Sequence, residues 1–137
     1  MSALDAALAA GRAEAETRMR EQVRLYRQGA DVFDRVTGQT LPGPKTVFYE
    51  GKARVKGVAQ STGEDAQAGE REVALREYEV GFPWATALPS GARLLAGDRI
   101  EVVASGDPRM AGLILWVVGA VFSEQSTAWR VRAEDRS

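Results

Sequence analysis

The chain contains neither cysteine nor histidine among its 137 residues. The lack of cysteine excludes disulfide bonds, thiolate metal sites and a thiol nucleophile. The lack of histidine excludes an imidazole base, a Ser-His-Asp triad and a two-histidine metal motif. Any catalytic chemistry would therefore depend on carboxylates, lysine, arginine, tyrosine or hydroxyl groups, and we expect neither a metal nor a cofactor.

An excess of charge of either sign is also lacking, since 18 Lys and Arg residues balance 19 Asp and Glu residues. Proteins that bind nucleic acids electrostatically usually carry a strong basic excess or a clear basic stripe. The remaining composition, 45% hydrophobic and 27% charged, is typical of a globular protein. The length is that of one domain.

Long hydrophobic runs are absent as well. The longest uncharged stretch, Met110–Ser123, is shorter than the ~20 residues that a membrane-spanning helix needs. Residues Met1–Gly11 lack the basic start of a signal peptide. We therefore expect no membrane association. We also expect the protein to be made in the cytoplasm of the cell that produces it and to stay there.

Residues 1–21 are predicted to form an N-terminal helix. Ser2 and Asp5 have the spacing of a capping box, with aspartate in place of the usual glutamate. The apolar stripe is narrow, and its larger members are Leu4, Leu8 and Met19. Such a stripe fits packing on the chain's own domain or contact with a neighbouring subunit.

Residues 22–137 are predicted to form a single, mainly β domain, a small antiparallel barrel or sandwich of about six or seven strands. The clearest alternation lies between Val47 and Val58, where Val47, Tyr49, Ala53 and Val55 share one face. The segment Leu113–Phe122 is apolar at nearly every position. It therefore predicts a central strand that is covered on both faces.

A long, flexible, acidic loop is predicted for residues 59–72, which contain no large apolar side chain. A loop longer than about 12 residues in a compact domain is usually functional or disordered. Its candidate functional residues are Ser61, Thr62, Gly63, Glu64, Asp65, Gln67 and Glu70.

The carboxylates Glu77 and Glu79 lie on one strand face and could serve as an acid and a base. Because Arg76 flanks them, a solvated strand face is the better interpretation, and we expect that the protein is not an enzyme. The residues Lys52, Arg54 and Lys56 form a short basic row that could approach DNA, although Glu50 dilutes it. Trp84 lies in a predicted loop and is a candidate anchor for a protein interface.

The order of these features resembles the head–tail joining proteins of long-tailed bacteriophages, also called head-closure or stopper proteins. The form with an N-terminal helix, found in phages of actinobacteria, is the most similar. The resemblance covers nearly the whole chain and depends on ordered segments, none of them diagnostic alone. They are Val23–Arg27, Asp34–Gly38, Val47–Val55, Tyr78–Pro83, Leu95–Val102, Asp107–Gly112 and Trp129–Arg132.

The resemblance implies a β-barrel that assembles into a ring of six or twelve copies in the neck of the virion. Such a ring closes the DNA-filled head below the portal and adaptor proteins and presents a docking surface for the tail. It implies no catalytic residue and no cofactor. Residues 59–72 would be the channel loop, near the packaged double-stranded DNA, and their acids would repel phosphate. Leu4, Leu8, Met19 and Trp84 would contact the next subunit or the connector.

Two alternative functions remain at this point. A tail terminator or tail-completion ring protein would combine a similar helix and barrel on the tail side of the joint. A nucleic-acid-binding barrel would use the row Lys52, Arg54 and Lys56 instead.

Overall fold

A computed structural model describes residues 2–58 and 76–136 of the chain. The helix α1 extends over Ala3–Thr17 and so ends earlier than predicted. Its capping box is confirmed, because the Asp5 N–H donates to the Ser2 hydroxyl at 3.0 Å and the Ser2 N–H donates to the Asp5 carboxylate at 3.3 Å. Arg18 follows the helix and lies 3.6 Å from Glu14.

The rest of the described chain is mainly β, as predicted. Six strands close an antiparallel barrel in the order β1-β4-β5-β8-β7-β6, and the short strands β2 and β3 pair separately. A single 3-10 turn, Pro89–Gly91, lies between β5 and β6. The strands are β1 (Glu21–Gln28), β2 (Val32–Phe33), β3 (Thr40–Leu41), β4 (Lys45–Gly57), β5 (Arg76–Pro83), β6 (Arg99–Ala104), β7 (Ile114–Val121) and β8 (Ala128–Asp135).

The core fills the barrel with the inward residues of all six strands. Alternation predicts this inner face correctly for β5, where Val80 and Phe82 are fully buried. The Phe82 ring meets the edge of Tyr49 and the tilted ring of Trp129, each at a centroid distance of 5.3 Å. The other main members are Val23, Leu25, Ala53, Val55, Ile100, Val102, Leu115, Val117, Val131 and Ala133.

The prediction that Leu113–Phe122 is covered on both faces is wrong. Val118 on β7 is 52% exposed, and Phe122 just after the strand is 72% exposed. Closing a sheet into a barrel gives every strand one inner and one outer face, so even an apolar strand presents residues to solvent. The outer face of β7 is only partly covered, because the half-buried Trp116 ring lies beneath the guanidiniums of Arg99 and Arg136 while Val118 faces solvent.

The predicted inner position of Val47 is also wrong. Leu25 pairs with Tyr49, but Tyr26 pairs with Val47, so Phe48 is the extra residue of a β-bulge. Phe48 packs against the core, and Val47 is exposed. Sequence alternation beyond the bulge is unaffected, and Ala53 and Val55 are buried as predicted.

One end of the barrel carries the longest described connections, and we call it the hairpin end. Here β1, β5 and β7 end, while β4, β6 and β8 begin. The connections at this end are residues 29–44, which include β2 and β3, residues 84–98 and residues 122–127.

An ion pair between a buried aspartate and a partly exposed arginine fastens the connection 84–98 to the barrel wall. Asp98 is 3% exposed, and its two oxygens accept from Nε and Nη2 of Arg27 at 2.7 and 3.0 Å. It also accepts from the Leu95 N–H at 2.8 Å, while Arg27 donates to the Arg93 carbonyl at 2.9 Å. The hydrogen bond to Asp98 raises the pKa of the Arg27 guanidinium. This paired geometry gives the connection a defined path.

We expect Asp98→Asn to lower the free energy of unfolding by about 1.5 kcal/mol, because charge-assisted hydrogen bonds to a buried carboxylate are lost while the shape is kept, and the partial exposure of Arg27 screens their strength. Asp107→Asn is the matched control, since Asp107 pairs with the exposed Arg109 at 2.9 Å. Urea denaturation measures both variants. Equal effects of the two substitutions would contradict a special role for the Arg27–Asp98 pair.

Candidate assembly interface

Helix α1 is docked on the outside of the chain's own barrel. The Arg12 guanidinium lies 3.5 Å above the centroid of the Trp84 ring. Arg12 also donates to the carbonyls of Glu124 and Ser126. Further along the helix, Glu16 pairs with Lys52 of β4 at 3.0 Å. The helix is thus held on the barrel by polar contacts, and its apolar stripe has no buried member within α1.

The predicted interface residues Leu4, Leu8, Met19 and Trp84 have different environments. Leu4 is exposed and Leu8 half-buried, so the start of α1 remains accessible. Met19, between α1 and β1, is buried in the single chain, which leaves little of its side chain for contact with another subunit. Trp84 is half-buried, and its indole N–H donates to the Ser123 carbonyl at 3.0 Å.

The basic row Lys52, Arg54 and Lys56 faces outward along β4, as alternation predicts. The pairing of Lys52 with Glu16 separates it from the other two. Arg54 and Lys56 line a cleft of about 240 Å³ between α1 and the barrel, together with the ion pairs Arg18–Glu14 and Arg130–Glu79. Neither Arg54 nor Lys56 forms an ion pair with any residue in the described ranges.

The outer wall of β5 and β8 is neutralised by diagonal ion pairs between the two strands. Glu77 lies 3.3 Å from Arg132, and Glu79 lies 3.7 Å from Arg130. The two carboxylates that could have formed an acid–base pair thus each face an arginine. The basic residues of β8 are likewise occupied by acids of the neighbouring strand.

The strands β2 and β3 form a small hairpin that the sequence did not reveal as a functional element. Val32 pairs with Leu41 and Phe33 with Thr40. At its tip the Asp34 carboxylate accepts from the Val36 N–H at 2.8 Å, and Gly38 has a φ of 77°. This hydrogen-bonded turn gives the tip a defined shape.

The base of this hairpin depends on Gly43. A side chain there would place its Cβ 2.1 Å from the Ala30 carbonyl oxygen, so only glycine fits. The Gly29 N–H donates to the Pro44 carbonyl at 2.8 Å and closes the base.

The hairpin exposes apolar side chains. Phe33 is 61% exposed and Val36 is 93% exposed, and Val32 and Leu41 are also exposed. No functional role is predicted for this segment from the sequence. The sequence did contain a signal for an interaction surface here, because four large apolar residues lie between Gly29 and Gly43, and a solvated turn usually has fewer.

A second feature of the hairpin end is a cleft, which we call the apolar cleft. Its two lobes, of about 290 and 400 Å³, share Thr86, Phe122 and Trp129. The Phe122 and Trp129 rings stack at 5.3 Å. The buried Thr86 hydroxyl oxygen and Trp129 indole nitrogen have no hydrogen-bond partner among the described residues. The remaining lining residues are Trp84, Ala87, Leu88, Gly91, Ala92, Arg93, Leu94, Ser123, Glu124 and Ser126.

The predicted channel loop lies outside the described residues. This applies to Ser61, Thr62, Gly63, Glu64, Asp65, Gln67 and Glu70.

These features define a class of protein, a closed six-stranded β-barrel with a docked N-terminal helix and one apolar end. The chain belongs to the family of unknown function DUF6093, which it matches over residues 11–134. No curated protein and no solved structure gives a significant match. Within residues 2–58 and 76–136, no helix has the length and apolar character needed to cross a membrane.

We expect the hairpin tip to loosen in acid. Hydrogen bonds from the Val36 N–H and from Thr37 lower the pKa of Asp34. A lowered pKa contributes stability that is fully present above the unfolded value of about 3.9 and is lost as the pH falls through the folded value. An NMR titration of the Asp34 carboxyl carbon should therefore have its midpoint below about 3.9.

Asp34→Asn is the control for this titration, because it removes the ionisable group. The exchange rate of the Val36 amide, corrected for its intrinsic pH dependence, should respond to acid in the native chain and not in the variant. A midpoint at or above the unfolded value would contradict the role of Asp34 in the turn.

Proposed function

We propose that the protein is a structural subunit that assembles with copies of itself into a ring. The carrying observation is the concentration of exposed apolar side chains at the hairpin end. Most of the exposed large hydrophobic residues belong to this end of the barrel, namely Val32, Phe33, Val36, Leu41, Val47, Leu95 and Phe122.

Physical chemistry favours covering this surface. Fully burying a valine or phenylalanine side chain contributes about 1.5–3 kcal/mol. A contiguous apolar patch bordered by polar residues is typical of a protein interface. Much of the outer wall contrasts with it, because Arg24, Arg130 and Arg132 there are already paired with glutamates. An assembled subunit would therefore make its contacts through the hairpin end.

We further propose that this ring is a head-closure connector in the neck of a long-tailed phage. The support is the resemblance of the ordered segments to stopper proteins. In this role the ring seals the DNA-filled head below the portal and adaptor and presents a docking surface for the tail terminator or tail tube. Residues 59–72 would be the channel loop, and the chain would have no catalytic function.

A tail-terminator role is the neighbouring alternative, and the location of the subunit distinguishes the two. Antibody labelling of DNA-filled heads that lack tails should detect the protein if it closes the head. Labelling confined to free tails would favour the terminator.

We expect the purified native chain to form closed rings of six or twelve copies in negative-stain electron microscopy and native mass spectrometry. Val36→Ser should weaken assembly at least tenfold, because it removes an exposed apolar group from the hairpin end. Since Val36 is 93% exposed in the single chain, the melting temperature of the unassembled chain should not change.

Val118→Ser is the matched control, since it makes the same change on the barrel wall and should leave assembly intact. A native chain that stays monomeric at high concentration would contradict the proposed function.

A separate observation supports contact between such a ring and DNA. Arg54 and Lys56 are exposed and form no ion pair with a described residue, so both are available to phosphate oxygens. The pairing of Lys52 with Glu16 predicts that this lysine contributes less. The same observation supports the alternative of a nucleic-acid-binding barrel.

We expect weak, salt-dependent binding of double-stranded DNA by the assembled protein. The double variant Arg54→Ala with Lys56→Ala should reduce the salt slope by about 2, since each lost phosphate contact removes about one unit. Lys52→Ala should change the slope less. Fluorescence anisotropy at several salt concentrations gives the salt slope of the native chain, the double variant and Lys52→Ala. An equal reduction of the slope in the two variants would contradict the smaller role of Lys52. High affinity of the single chain for DNA would favour the nucleic-acid-binding barrel.

A further inference from the structure

We propose that the β2–β3 hairpin of one copy occupies the apolar cleft of the next copy. This inference rests on the proposed self-assembly and names the two surfaces that meet. Each subunit would offer its hairpin on one side and receive a hairpin on the other. Such a head-to-tail contact forms a ring when the rotation between copies closes.

The barrel topology places the two surfaces suitably. The hairpin joins β1 to β4, and the apolar cleft includes Phe122, which follows β7, and Trp129 of β8. In the closed order β1-β4-β5-β8-β7-β6, the β1/β4 and β8/β7 boundaries lie on opposite sides of the barrel, and the wall of the cleft at Arg93 extends from the β8/β7 side to β1. Both surfaces belong to the hairpin end. A subunit can therefore use one surface towards each of its two neighbours without turning over.

The chemistry of the cleft fits a hairpin rather than a purely apolar ligand. Trp129 is 4% exposed, yet its indole N–H has no acceptor among the described residues. The hydroxyl of Thr86, in the same cleft, is also without a partner there. Buried polar atoms left unpaired are costly, so they favour an occupant that opens the cleft enough to reach them and supplies hydrogen bonds. The outer edges of a two-stranded sheet present unpaired backbone carbonyl and N–H groups.

The apolar parts of the two surfaces also correspond. Phe33 and Val36 project from the hairpin, while Leu88, Leu94 and Phe122 line the cleft. The contact would remove apolar area from water on both copies, and this is the main favourable contribution to protein association.

The charges of the two surfaces are opposite. The hairpin segment carries Asp31, Asp34 and one cation, Arg35, whereas the cleft and its rim carry Arg12, Arg93 and one acid, Glu124. None of these six side chains forms an ion pair within the described parts of the chain. Complementary charges of this kind orient a contact and disfavour the pairing of two identical surfaces.

Cysteine crosslinking tests the contact directly, because the native chain has no cysteine. Val36→Cys marks the hairpin tip, and Ala87→Cys marks an exposed residue of the cleft. The double variant, treated with a short bismaleimide, should give a ladder of covalent multimers that ends at the ring size. Mixing the two single variants should give a covalent dimer, whereas each single variant alone should give none. The matched control is the double variant Val118→Cys with Ala87→Cys, which should give no ladder.

Thr86→Val provides a second measurement that does not depend on crosslinker geometry. It keeps the side-chain shape and removes the unpaired hydroxyl, so the single chain should be at least as stable as the native one. The hydrogen bond between copies would be lost, and assembly should weaken about fivefold. Unchanged assembly of this variant would contradict the part assigned to Thr86.

The outcomes separate this contact from the proposed function. Rings that form without the Val36–Ala87 crosslink would overturn the hairpin contact and leave the ring proposal standing. Crosslinked open chains without rings would support the contact and overturn the ring. A covalent dimer from Val36→Cys alone would show that hairpins pair with each other, which overturns the contact proposed here. A chain that never associates would overturn both.

Discussion

The ion pair between Arg27 and Asp98 is the constraint on which the hairpin end depends. Asp98 binds the guanidinium of β1 and the backbone N–H of Leu95, while the same guanidinium holds the Arg93 carbonyl. The connection 84–98 is thereby fixed over the barrel. This connection supplies Thr86 and much of the wall of the apolar cleft. A cleft built on a connection needs such an attachment, because connections without buried contacts do not keep one shape.

The barrel separates its polar and apolar surfaces. Along the wall, Arg24 lies between Glu50 and Glu101, and the acids of β5 face the arginines of β8. At the hairpin end, large apolar side chains such as Phe33, Val36 and Phe122 remain exposed. The paired part of the wall offers little net charge to a partner, and the unpaired cations Arg54 and Lys56 lie beside it on β4. The apolar end, in contrast, has area to bury. This division supports the assembly that we propose for a member of a family of unknown function.

The sequence predicted the parts of the molecule in which local pattern and tertiary environment agree. Val80 and Phe82 alternate with polar residues and are buried, and Ser2 and Asp5 cap the helix as their spacing predicts. Predictions from the sequence were wrong where the tertiary environment altered a local pattern. The bulge at Phe48 moved Val47 to the surface, and barrel closure exposed Val118 on a strand that is apolar throughout. Met19 was predicted to belong to the apolar stripe of the N-terminal helix. It lies beyond the end of α1, where the chain turns, and it is buried.

The sequence alone determined three properties of the protein. They are the near balance of 18 basic and 19 acidic residues, the absence of cysteine and histidine, and the period-two alternation. They defined a mainly β chain with a helical start and restricted its chemistry, because periodicity and side-chain type are local properties. Tertiary structure alone decided which charges neutralise one another and which apolar residues remain uncovered. Lys52 is paired while Arg54 has no ion-pair partner in the described chain, and Trp129 is buried with its N–H unpaired there. These outcomes depend on neighbours far apart in the chain, which meet only when the barrel closes.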